Sequence, residues 1–190
     1  MKTVKSVLLT SLIASSALGA SCIANTNALS NQYSNDNFIV KLGAANINGP
    51  HSHSNVAPVI ELAKRFDVNN AAIELSARYS HANTDNQDSM FYSLPKITYL
   101  AFYTPNCVNS FFYGGGLSWS KTRHYNSVNT NNTASFQGLY AEGVVGYEMH
   151  RDKKIKTTLE LNVSQPVLAS SQHGRNPGPS VFATLGFGFL

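Results

Sequence analysis

The chain has 190 residues, 43% hydrophobic and only 13% charged, with 13 Gly, 10 Phe, 9 Tyr and two Cys. The length suits one domain, the aromatic content excludes disorder, and the wealth of Gly, Asn, Ser and Thr argues against a helical bundle. A charged fraction about half the ~25% of a soluble domain leaves a β-rich protein whose exterior does not face water, and a formal charge of +4 does not call for nucleic acid.

Residues 1–24 read as a secretory signal: Lys2 and Lys5, an apolar stretch from Val7 to Ala14, then small residues to Ala24. Cleavage is expected near Ala20 or Ala24. The apolar run is shorter than the ~20 residues of a spanning helix, and no later segment supplies one. Leu18-Gly19-Ala20-Ser21-Cys22 faintly resembles a lipoprotein box, with its leucine four residues before the cysteine instead of three. If the signal takes Cys22 away, Cys107 stands alone; if both stay, a disulfide can form in an oxidising compartment. Two cysteines build no disulfide scaffold, and no Cys/His spacing matches a zinc site.

A polar, Asn-rich segment (25–35) precedes a barrel domain at 36–190. Strands are expected at 37–47, 56–66, 71–81, 90–103, 110–121, 136–149, 155–166 and 179–190. Their connections alternate. Short turns at 67–70, 104–109 and 150–154 face longer polar loops at 48–55, 82–89, 122–135 and 167–178. An even number of amphipathic strands with this alternation predicts an all-β, eight-stranded antiparallel up-and-down transmembrane β-barrel, with its termini and short turns in the periplasm.

Side-chain parity carries the argument further, because successive residues of a strand face opposite ways. In the third strand Ile73, Leu75, Ala77 and Tyr79 oppose Glu74, Ser76 and Arg78; in the seventh Ile155, Leu159, Leu161 and Val163 oppose Lys156, Glu160 and Asn162. Every glutamate (Glu61, Glu74, Glu142, Glu148, Glu160) falls on the polar parity, as do Lys41, Arg65, Arg78, Lys96 and Lys156, while the aspartates fall in turns, loops or the N-terminal approach. On the lipid side a Lys or Arg costs roughly 2–4 kcal/mol. Ten such charges would cost on the order of 20 kcal/mol, beyond a net stability of about 5–15 kcal/mol. The charged face therefore points inward, where five cations and five anions neutralise one another. A soluble lipocalin-like barrel would exchange the faces, and the small inner residues Gly43, Gly114, Gly116, Gly146, Gly186 and Gly188 would line a ligand cavity poorly.

Aromatics near strand ends (Phe38, Tyr79, Phe91, Tyr103, Phe111, Trp119, Tyr147, Phe187, Phe189) read as interfacial girdles. Lys64 and Lys121 lie on the lipid parity near strand ends, where long side chains snorkel. The fourth strand is irregular: Lys96 inward also turns Leu94, Leu100 and Phe102 inward, and a bulge near Pro95 would reset the parity.

The signal, the eight amphipathic strands and the closing run from Val181 to Leu190 together resemble the small outer-membrane β-barrel superfamily, with the OmpA transmembrane domain and the opacity-protein-like porins. The resemblance covers roughly residues 36–190. It implies insertion by the barrel-assembly machinery into the outer membrane of a Gram-negative-type bacterium. It implies no single activity. Phe189 is penultimate and Leu190 last, where that family usually ends on an aromatic.

Individual motifs add little chemistry. His51, His53, His81, His124 and His173 fall in or beside the long loops, where His51-Ser52-His53 would need a third ligand to hold a metal. Tyr79-Ser80-His81 near Glu74 is the nearest approach to a nucleophilic arrangement, but Ser80 and His81 face opposite ways. Asn131-Asn132-Thr133 reads as a polar loop tip, and Gly114-Gly115-Gly116 lacks the following helix and Lys-Ser/Thr pair of a phosphate loop. The expectation is a non-enzymatic outer-membrane barrel without cofactor or metal. Its lumen is filled by the network Lys41, Glu61, Arg65, Glu74, Arg78, Lys96, Glu142, Glu148, Lys156 and Glu160, its wall contacts lipid, and its long loops are open to a surface or host ligand. A narrow small-solute channel is the alternative, and a soluble ligand-binding barrel stands third.

Overall fold

The structure, a computed structural model, describes residues 37–48, 54–68, 70–84, 87–105, 107–126, 134–151, 153–171 and 178–189. They form eight strands: β1 (Asn37–Asn48), β2 (Ser54–Val68), β3 (Ala71–Thr84), β4 (Gln87–Phe102), β5 (Ser110–Asn126), β6 (Ala134–Met149), β7 (Ile155–Ser171) and β8 (Ser180–Phe189). Each pairs antiparallel with its neighbour in sequence, and β1 pairs with β8, which closes the barrel. The signal, the polar N-terminal segment, His51, His53, His173 and Asn131–Thr133 lie outside the described residues.

Charge fixes the register. Lys41 stands opposite Glu61, Glu61 opposite Arg78, and Arg65 opposite Glu74. A one-residue slip would turn all of them to the other face. Outside, Leu42, Leu62, Leu75, Ile97, Leu117, Leu159, Leu161 and Leu185 are exposed. Apolar outside and ionic inside is the reverse of a soluble barrel. Leu161→Arg, in the middle of this wall, is expected to cost about 2–4 kcal/mol, measured by urea titration of the protein folded into phosphatidylcholine vesicles; an unchanged midpoint would mean that the wall does not face acyl chains.

Both prolines at ladder irregularities sit where a missing N–H is tolerated. The β4–β5 register shifts between Ser93 and Lys96, around Pro95, and the β6–β7 register shifts opposite Pro166. The first shift resets the parity of β4. Ser93 and Phe91 are buried before it, Leu94 is exposed, and Lys96, Leu100 and Phe102 are buried after it. Phe91 therefore lies in the interior, not in the girdle where its place near a strand end put it.

The connections also differ from expectation. Those at the end carrying the termini are 69–70, 103–109 and 150–154, and those at the opposite, rim end are 49–53, 85–86, 127–133 and 172–179. The β3–β4 loop expected over 82–89 shrinks to two residues, because the polar segments flanking it continue the ladder: His81 pairs with Met90 and Asn83 with Asp88. Polarity here marks paired strand, not loop. The rim is uneven, since the β2–β3 ladder stops at Val59–Ser80 while β3, β4 and β5 stay paired to Thr84–Gln87 and Gln87–Asn126. In the 103–109 connection, Cys107 is buried and disulfide-bonded; Cys22 lies outside the described residues.

Candidate functional site

The ten inward charges are at most 4% exposed. Lys41, on β1, places Nζ within 2.5 Å of Glu74 Oε1, 2.7 Å of Glu160 Oε2 and 3.3 Å of Glu61 Oε1. Arg65 binds Glu74 Oε2 at 3.0 Å through Nη2 and reaches Glu148 through Nη1. Arg78 Nε donates to Glu61 Oε2 at 2.5 Å, and its Nη1 donates to Asn162 Oδ1 at 3.0 Å and Glu142 Oε2 at 3.4 Å. Lys96 completes the cage on Glu61 Oε1 at 3.0 Å. Ser118 and Ser164 donate to the other oxygen of Glu142 at 2.6 and 2.9 Å. Nine of the ten residues thus form one connected layer.

Lys156 stands apart, 3.5 Å from Asp67 Oδ2. Two further members have no counterpart in the sequence reading. Asp67 belongs to β2 and faces inward, although aspartates were expected only off the strands. Arg151, in the β6–β7 turn, is 5% exposed and folds back under the lumen. Its Nε donates to Glu148 Oε1 at 3.1 Å, its Nη1 donates to the Pro105 carbonyl at 2.7 Å, and its guanidinium lies 4.1 Å from the Phe102 ring centre. Asp67 and Arg151 add one charge of each sign, so neutrality is preserved.

Two apolar clusters bracket the ions. Towards the rim, Ile47, Val59, Phe91, Tyr140 and Phe182 pack together with three alanines; Phe91 lies 5.0 Å from Phe182 and meets Tyr140 edge to face at 6.1 Å. Towards the termini, Leu100, Phe102, Phe112 and Val144 form the second cluster with Ala72. Gly146 makes room for it, because a Cβ there would run into the Phe112 ring. Arg78 lies over Phe182 at 4.1 Å and Arg65 over Phe112 at 5.7 Å, which ties the ionic layer to each lid.

The Ser80–His81 motif is divided as its parity requires. Ser80 Oγ donates inside to the Pro58 carbonyl at 2.8 Å, His81 Nε2 lies outside, 2.7 Å from Asp88 Oδ1, and Glu74 is held by Lys41 and Arg65. A different pair, Ser89 Oγ and His124 Nδ1 at 2.8 Å, sits at the rim. Among the described residues no three His, Cys, Asp or Glu side chains converge as metal ligands.

A closed meander of eight antiparallel strands is also the architecture of known bacterial proteins. Neisserial surface protein A superposes with a TM-score of 0.66 at 9% identity, over 81% of this chain and 96% of that one. By fold, this is an eight-stranded antiparallel β-barrel like that of neisserial surface protein A. Ail of Yersinia pestis (TM-score 0.52, 11% identity, 81% and 95% covered) and OprG of Pseudomonas aeruginosa (0.50, 12%, 82% and 97%) share the architecture. No protein-family model and no curated protein matches the sequence.

Proposed function

We propose that this barrel serves a structural or surface-interaction role in the outer membrane of a Gram-negative-type envelope and neither conducts solutes nor carries a catalytic centre. The observation that carries this reading is the lumen: a neutral ionic layer, at most 4% exposed, between two apolar lids. Eight strands leave an interior just wide enough for side chains to fill. The termini and the connections 69–70, 103–109 and 150–154 lie on the periplasmic side, and the uneven rim with its longer connections faces outward as the surface for a host or envelope ligand. Ail, which shares the fold, is known in complex with the heparin analogue sucrose octasulfate, which fits such a use of the scaffold. Insertion falls to the barrel-assembly machinery, for which the outward row Val181, Ala183, Leu185, Phe187 and Phe189 of β8 is the expected signal. The separation of Ser80 from His81 on opposite faces supports a role without catalysis.

Single-channel recording in planar bilayers, together with heat-dependent gel migration, tests the reading. Wild type is expected to show no ohmic step, and Arg78→Ala/Glu142→Ala to unfold at lower temperature while remaining non-conducting. A conductance step in wild type would instead favour a narrow small-solute channel.

A further inference from the structure

Above the apolar wall, β3, β4 and β5 present a different chemistry to the outside. Along β5 the outward residues are Phe111, Tyr113, Gly115, Leu117 and Trp119, then Lys121 and Arg123. Ten strand residues at ~3.3 Å each and ~45° tilt rise about 23 Å, close to the ~25 Å apolar band of an outer-membrane barrel. The two cations therefore begin where acyl chains end. They lie one pleat repeat apart, roughly 7 Å, so both reach a single anionic group. Arg123 is cross-strand from Met90 and Met90 from His81, and Lys121 is cross-strand from Tyr92. His81, Asp88, Met90 and Arg123 line a recess of about 260 Å³ on this wall, several times the ~30 Å³ of a water molecule. Among the described residues the only acid there, Asp88, is engaged by His81 at 2.7 Å, and neither Lys121 nor Arg123 has an acidic partner.

From this we infer that the wall of β3–β5 seats the phosphate of an outer-leaflet lipid headgroup, with Arg123 and Lys121 as its cationic clamp and His81 at its edge. Cations just past the apolar boundary meet lipid phosphates first, and nitrogen donors bind phosphate through charge-assisted hydrogen bonds. The assignment to the outer leaflet rests on the orientation proposed above; the recess itself does not.

Trp119, the single tryptophan of the chain, is half-exposed two residues below Lys121 and reports occupancy. Lipid A carrying its phosphates, titrated into the detergent-folded barrel, is expected to shift Trp119 emission saturably. Lys121→Gln/Arg123→Gln should raise half-saturation at least about tenfold, while Lys64→Gln, near the other end of the barrel, should leave it unchanged; both variants are first checked for native gel migration. Equal binding of dephosphorylated lipid A, an unaffected double variant, or displacement by inorganic phosphate at matching concentration would overturn the proposal. Detergent micelles have no leaflets, so a positive titration with an inverted orientation in cells, read by protease access to the rim, would refute only the leaflet.

Discussion

Replacing Lys41 by Met is expected to lower the unfolding free energy by about 3–5 kcal/mol, the usual cost of removing one partner from a buried ionic cluster. Among the described residues Lys41 is the one cation that touches three carboxylates. Met fills nearly the same space with a flexible unbranched chain, so a cavity contributes little and the loss is electrostatic. The three acids do not suffer equally. Glu74 keeps Arg65 and Glu61 keeps Arg78 and Lys96, but Glu160 is left with Lys96 at 3.9 Å. Glu160→Gln added to Lys41→Met should therefore recover part of the loss, a coupling that a double-mutant cycle isolates. Lys156→Met breaks a single 3.5 Å pair and should cost less. Urea titration in lipid vesicles measures wild type, the single variants Lys41→Met, Glu160→Gln and Lys156→Met, and the double variant. Equal costs for Lys41→Met and Lys156→Met would mean that each cation acts alone and that no shared layer exists.

The same electrostatics explains what is legible in the sequence. A buried charge is so costly outside its cluster that glutamates, and cations away from the strand ends, mark the inner parity, which is why β1, β2, β3, β6 and β7 can be oriented from single residues such as Lys41, Glu61 or Glu160. Apolar residues carry no such sign. Phe91 and Trp119 are both aromatic and both near the rim, yet one closes the lumen and the other faces out, because the β4 bulge around Pro95 reverses the parity for Phe91. The polar flanks of the β3–β4 hairpin read as loop for a related reason: polar side chains there accompany a backbone pairing that continues to Thr84 and Gln87. Arg151 was illegible because a turn residue has no parity, and only the fold shows that the β6–β7 turn curls beneath Phe102.

Phe182→Ala is expected to cost about 3–5 kcal/mol, the range for truncating a buried aromatic, without opening a conducting path. Phe182 is fully buried, packs against Phe91 at 5.0 Å and stacks its ring on the Arg78 guanidinium at 4.1 Å. Alanine removes the lid and exposes the ionic layer to water from the rim, yet the cage of Arg78, Glu61, Glu142 and Asn162 below it keeps its own hydrogen bonds. Phe182→Leu separates the contributions. It retains most of the apolar volume while losing ring stacking, worth about 0.5–1.5 kcal/mol, and the cation–π contact, worth about 2 kcal/mol when desolvated. A cost for leucine well below that for alanine would assign the lid to apolar volume; equal costs would assign it to the ring's face towards Arg78. Planar-bilayer recording of the alanine variant decides where the seal lies. No ohmic step is expected, because water that enters the vacated space still meets paired charges across the whole section, and a step there would move the barrier from the ionic layer to the aromatic lid.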